Sequence, residues 1–163
     1  MQPKELSRKI KEAIGKDAVV TVHEEGRFPY LELSTDHFKQ VMRYCLTESS
    51  ISLDFLECIT GLEEEDGLWL IYRIFSTEKN NHFNLKIRLD RYRPTISSVC
   101  DLWRSAFHLE KECSEMFGFV FEGNDFQGPF LLPEGWQGYP LRKDYSFPEQ
   151  FSGIDHRRER NHG

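Results

Sequence analysis

Hydrophobic and polar positions alternate along the first two thirds of the chain at two spacings, and each spacing predicts its own element. Leu6, Ile10, Ala13 and Ile14 share one face of a helix predicted over residues 4–14, with Gly15 as its stop. Residues 18–22 are β-branched and strand-like, and 24–27 form a turn. Residues 28–33 make a second strand, whose Pro29 favours an edge or an entry position. Ser34 or Thr35 can cap a second helix, striped by Phe38, Val41, Met42 and Cys45. Strands are then predicted over 52–60, 68–75 and 83–89, with the acidic run 63–67 turning the chain between the first two. In the last of them Phe83, Leu85, Ile87 and Leu89 alternate with Asn84, Lys86, Arg88 and Asp90, which gives one buried and one wet face. Val99, Leu102, Trp103, Ala106, Cys113, Met116 and Phe117 mark the inner side of a long helix over 98–116, ended by Gly118.

The order is helix, two strands, helix, three strands, helix. Strands clustered into hairpins rather than alternating singly with helices predict an α+β fold: a two-layer α/β sandwich on a mixed, mostly antiparallel sheet. The helix joining the second strand to the third is expected to leave those two as a parallel pair. A chain of 163 residues fits one such domain with an appended arm. The boundary falls at 118, giving a core over 1–118 and an extended C-terminal arm over 119–163.

Periodicity stops after Gly118. From Phe117 to Phe151 there are seven Phe, one Trp and two Tyr, interrupted by five Gly and four Pro. Burying one large ring is worth roughly 1.5–3 kcal/mol, so such a segment needs a surface to cover its rings. That surface is either the chain's own core or another protein. Trp136, Tyr139, Arg142 and Tyr145 are residue types that dominate interfaces.

Composition narrows the function classes. Hydrophobic residues make up 39% and charged residues 29%, a globular balance. No apolar run approaches the roughly 20 residues of a membrane-spanning helix, and the N-terminus lacks the apolar core of a signal peptide. A net charge of −6 with no basic stripe argues against a nucleic-acid partner; the one basic cluster, 156–160, reads as a solvated tail. Cys45, Cys58, Cys100 and Cys113 stand far apart, so they read as reduced, buried apolar residues rather than a zinc or iron–sulfur set. His108, Glu112 and Glu115 share a helical face that could hold a metal in a free-standing enzyme, although no second copy of the pattern exists to complete a bundle-type site. Phosphate-loop, dinucleotide, zincin and nucleophile-elbow motifs are absent. Glu110, Glu112 and Glu115 crowd negative charge towards a helix C-terminus, which the macrodipole disfavours. Arg142, Lys143 or a partner's arginine is therefore expected to pair with Glu110 or Glu112.

Two strings carry a family resemblance: EKECSEMFGFVF over residues 110–121 and LLPEGWQGYPLRKDY over 131–145. Together with the upstream helix–strand order they resemble the C subunit of NADH–quinone oxidoreductase, respiratory complex I. Lys111 stands where the family has arginine and Glu115 where it has aspartate, and residues 124–130 replace an H-P-x-L-x-R stretch. The resemblance implies a structural, cofactor-free component of a proton-translocating oxidoreductase, with no catalytic, cofactor-binding or metal residue of its own. NADH, FMN, iron–sulfur clusters and quinone would be bound by other subunits. The expected partners are the quinone-site D subunit and the iron–sulfur subunits B and I. Membrane association would be indirect, on the cytoplasmic face of the bacterial inner membrane. Glu110, Glu112, Trp136, Arg142, Lys143, Asp144 and Tyr145 would hold the interface. The alternative is the equivalent subunit of a ferredoxin-linked or hydrogenase-type membrane complex; a soluble adaptor that binds one acidic or aromatic peptide is a further class.

Overall fold

The computed structural model describes residues 1–151 and 153–155; the basic run 156–160 lies outside them. Three helices and nine strands follow in the order α1 (Pro3–Ala13), β1 (Val19–His23), β2 (Tyr30–Leu33), α2 (Phe38–Thr47), β3 (Phe55–Glu64), β4 (Gly67–Ser76), β5 (Asn81–Leu89), β6 (Thr95–Ser97), α3 (Ala106–Phe117), β7 (Val120–Glu122), β8 (Gln150–Phe151) and β9 (Ile154–Asp155). The first five strands form a mixed sheet in the order β1-β2-β5-β4-β3, in line with the expected α+β class. Its core side carries Leu31, Leu33, Leu68, Leu70, Tyr72, Ile74, Leu85 and Ile87, all buried in one cluster with Leu6, Ile10, Phe38, Val41, Met42, Ala106 and Cys113 of the helices.

The one parallel pairing in that sheet joins β2 to β5, not β2 to β3 as the crossover suggests from sequence. The reason lies at the outer edge of β3. Its carbonyls are taken by side chains: Trp103 Nε1 donates to Leu53 just ahead of the strand at 3.2 Å, Ser105 Oγ to Leu56 at 3.3 Å and Cys113 Sγ to Ile59 at 3.6 Å. With β3, β4 and β5 joined as a meander, only the free side of β5 remains for β2.

The third helix is shorter than its apolar spacing predicts. Residues 95–97 are strand, and 99–105 run as turns with bonds such as Leu102 N–H to Val99 O at 2.9 Å and Ala106 N–H to Trp103 O at 3.0 Å. Successive turns of that kind repeat every three residues and imitate a helical stripe. The second helix has His37 at its N-cap without a side-chain cap, so neither Ser34 nor Thr35 fills that role. The core also continues past 118. Strand β7 pairs in parallel with β6, and Phe119 and Phe121 are buried against Phe117 in the ring series that closes the core. The exposed arm therefore starts after Glu122. Cys45 and Cys113 are buried, with their thiols pushed up to about 12 by desolvation, while Cys58 and Cys100 are half-buried.

The sheet face away from the helices is finished with charge pairs. Lys86 lies 4.0 Å from the Trp69 ring centre and 5.2 Å from that of Tyr30, and donates to Glu64 at 3.0 Å. Arg73 and His82 both meet Glu57, and Arg88 meets Asp66. Lys86, placed on the wet face by alternation, is thereby buried to 8% exposure.

Candidate docking interface

Helix α3 is the rod on which the arm is mounted. Its inner face carries Glu110, which is fully buried and accepts three hydrogen bonds: Ser98 Oγ at 2.6 Å, Val99 N–H at 2.7 Å and Asn124 Nδ2 at 2.8 Å. Burial pushes its carboxyl above the ordinary value, against the pull of those donors and of Lys39. Glu110 thus ties the loop after β6 to the root of the arm at Asn124.

The outer face of α3 holds the next stretch. Glu115 accepts the backbone N–H groups of Phe130 at 2.5 Å, Leu131 at 2.7 Å and Leu132 at 3.1 Å. Partial burial raises its carboxyl, but those three N–H donors outweigh it and hold the group below its ordinary value. His108, about two turns earlier, meets the rings of Phe126 at 5.8 Å and Phe130 at 5.4 Å. Lys111 Nζ lies 5.3 Å from the Phe126 ring centre.

Gly118 ends α3 in the left-handed region at φ +80°. A Cβ there would fall 2.5 Å from Tyr139 Cε2, so the absent side chain is what lets the Tyr139 ring lie on the helix end. Leu141 N–H donates to Met116 O at 3.0 Å, and Arg142 Nε donates to Phe117 O at 2.6 Å while its guanidinium sits 4.9 Å from the Tyr139 ring centre. Lys143 N–H then donates to Glu63 Oε2 at 2.6 Å. Arg91 forms an ion pair with the other oxygen of the buried Glu63 and lies 3.5 Å from Asp144. Tyr145 returns its hydroxyl to Gln137 O at 3.1 Å, with its ring over Gly138.

The sequence-predicted site residues separate on this geometry. Glu110 is internal and unavailable to a partner, since its carboxylate is taken by three donors of its own chain. The expected pairing of Arg142 or Lys143 with Glu110 or Glu112 is not made: Arg142 caps α3 and the Lys143 backbone meets Glu63. Trp136 is half-buried and its ring stands 6.2 Å from that of Phe147. Asp144 faces Arg91, Tyr145 packs edge-on to Phe147 at 5.1 Å, and Glu112 is exposed without an ion pair among the described residues. Glu63, Arg91, Glu115 and Asn124 hold the arm in place, yet sequence reasoning does not pick them out as interface residues. Their only signal is a polar or charged side chain near a turn or a helix end, which surface residues share.

Anchored at these points, the arm turns large apolar side chains outward: Phe130, Leu131, Tyr139, Leu141, Phe147 and Ile154 are 38–63% exposed. A cleft of about 390 Å³ opens between α3 and the arm, with Leu132, Pro133, Trp136 and Tyr139 opposite Lys111 and Glu115. Among the described residues no three His, Cys, Asp or Glu side chains come together as a metal set, and Glu115 of the helix-face stripe is occupied by the arm. No helix among them is long and apolar enough to cross a membrane.

Residues 31–151 match the family described as the 30 kDa subunit of respiratory-chain NADH dehydrogenase. The chain belongs to that family. It is 31% identical over 157 residues to the C subunit of NADH-quinone oxidoreductase from Chloroherpeton thalassium, a match covering 94% of this chain and 65% of that protein. It is 38% identical over 104 residues to the C/D subunit of Bacteroides thetaiotaomicron, covering 56% of this chain and 20% of that one. Among solved structures it superposes on a trypsin-resistant fragment of Nqo5 with a TM-score of 0.62 at 24% identity, over 75% of this chain and 98% of that chain. A chain of the membrane-bound sulfane sulfur reductase, an archaeal respiratory membrane complex, gives a TM-score of 0.73 at 22% identity, over 88% of this chain and 85% of that chain. Both likenesses show a shared fold.

Proposed function

We propose that this chain is a structural, cofactor-free component in the peripheral arm of a proton-translocating NADH–quinone oxidoreductase. It docks on the quinone-site D subunit, next to the iron–sulfur subunits B and I, on the cytoplasmic face of the bacterial inner membrane. Electrons pass from NADH through FMN and iron–sulfur clusters in the other subunits to quinone. The observation that carries the reading is the arm: its backbone is tied to its own core while six large apolar side chains face out. Exposed apolar surface mounted on a fixed scaffold marks a protein–protein contact. The C/D relative supports the D subunit as the neighbour, since its name joins the two. The half-buried Trp136, Arg142 and Tyr145 support the surface from beneath, Lys143 and Asp144 are exposed on it, and Glu112 belongs to the neighbouring helix.

The test is assembly. Leu141→Ser with Phe147→Ser should leave a folded chain that no longer co-purifies with a quinone-reducing membrane complex. Normal incorporation of that variant would refute the docking role. One further reading is the equivalent subunit of a related ferredoxin-linked or hydrogenase-type membrane complex; the fold is shared with a chain of an archaeal respiratory membrane complex. The proteins that co-purify separate the two.

A further inference from the structure

The charge around the apolar arm is lopsided. Residues 105–151 hold eight carboxylates against three lysines and arginines, so they supply most of the chain's net −6. Three of the eight are accounted for internally: Glu110 is buried among its donors, Glu115 caps three N–H groups, and Asp144 faces Arg91. The other five, Glu112, Glu122, Asp125, Glu134 and Glu149, are exposed and make no ion pair among the described residues. On the bare sheet face the pattern is the opposite, since Arg73, Lys86 and Arg88 each have a carboxylate of their own. Among the described residues, the basic side chains of that face are matched one to one, whereas most carboxylates of the 105–151 stretch are not.

We infer that the α3–arm face docks on a protein surface that is apolar at its centre and rich in lysine and arginine around it. This rests on the docking reading above and adds the chemistry of the partner. The partner class follows from sign. Nucleic acids and anionic membranes repel five carboxylates that have no ion pair among the described residues, and a neutral apolar surface would leave them desolvated at a cost. A cationic rim around an apolar patch supplies both halves of the match and steers the encounter. Glu134, at the edge of the apolar cleft, and Glu112, on the exposed side of α3, are the carboxylates best placed to meet that rim.

The experiment uses the full chain and the complex assembled without it, with association measured at low and at raised salt. Wild type should bind with an on-rate that falls steeply as salt rises. Glu112→Lys with Glu134→Lys should slow binding by roughly tenfold or more at low salt and flatten the salt dependence. Neither carboxylate has an ion pair among the described residues, so unfolding of the variant should match wild type. An on-rate that is indifferent to salt and to the charge reversal, in a chain whose binding is still abolished by Leu141→Ser with Phe147→Ser, would overturn this inference and leave docking intact. Binding that survives the apolar substitutions would overturn both.

Discussion

Gly118→Ala tests how the arm is seated. The residue sits at φ +80°, where an alanine costs about 1–2 kcal/mol of backbone strain. Its new Cβ would also lie 2.5, 2.6 and 2.9 Å from Cε2, Cζ and Cδ2 of Tyr139, inside contact distance. The ring must lift, and its stacking with Arg142, 4.9 Å away, is worth about 0.5–1 kcal/mol at such an exposed site. The Leu141–Met116 and Arg142–Phe117 hydrogen bonds lie on the same short stretch and loosen with it. The total is about 2–3 kcal/mol, which for a domain of this size lowers Tm by about 5 °C or more. In a Tyr139→Ala background only the backbone term is left. The double-mutant cycle, read by urea unfolding of the isolated chain, should therefore show about 1 kcal/mol of coupling. An identical cost of Gly118→Ala in both backgrounds would refute the proposed seat of the ring.

Three other outcomes follow from the same contacts. Glu115→Gln should speed hydrogen exchange at the amides of residues 130–132. In wild type the same loosening should set in as pH falls: a carboxyl held below its ordinary value of 4.5 stabilises above that value and loses its effect as pH drops through the folded one. Glu110 acts with the opposite sign. Its carboxyl is raised, so the folded state keeps the proton longer and loses stability as pH climbs from 4.5 through the raised value; stability measured against pH should be flatter on that limb in Glu110→Gln. Truncation after Gly118 should unfold the core, because it removes buried Phe119 and Phe121 at about 3–6 kcal/mol together, whereas truncation after Glu122 should give a folded chain by circular dichroism.

Much of the sheet is legible in the sequence because its signal is local. The alternation from Phe83 to Leu89 fixes which side chains of β5 face the core, and the structure keeps that alternation apart from Lys86. Lys86 departs because Trp69 and Tyr30 come from other strands, and no spacing within β5 announces them. The parallel partner of β2 escapes sequence reasoning for a similar reason: the side chains that close the edge of β3 lie some fifty residues downstream. Glu110 shows the same limit at the candidate interface. A glutamate in a charged run reads as surface, since such residues are seldom fully buried without partners. Its donors sit 11, 12 and 14 residues away on irregular backbone that periodicity does not reach. The arm itself is visible as a composition shift, but the carboxylates that pin it are not.

The closed margin of β3 has a consequence for the chain before it meets its neighbours. An open strand margin is a template on which other chains add and polymerise. Here the long margin is blocked by Trp103, Ser105 and Cys113, and the opposite one, β1, is only five residues long with a bulge between Val19 and Thr21. A newly made protein with sticky rings on one flank can therefore wait for assembly without recruiting copies of itself strand by strand.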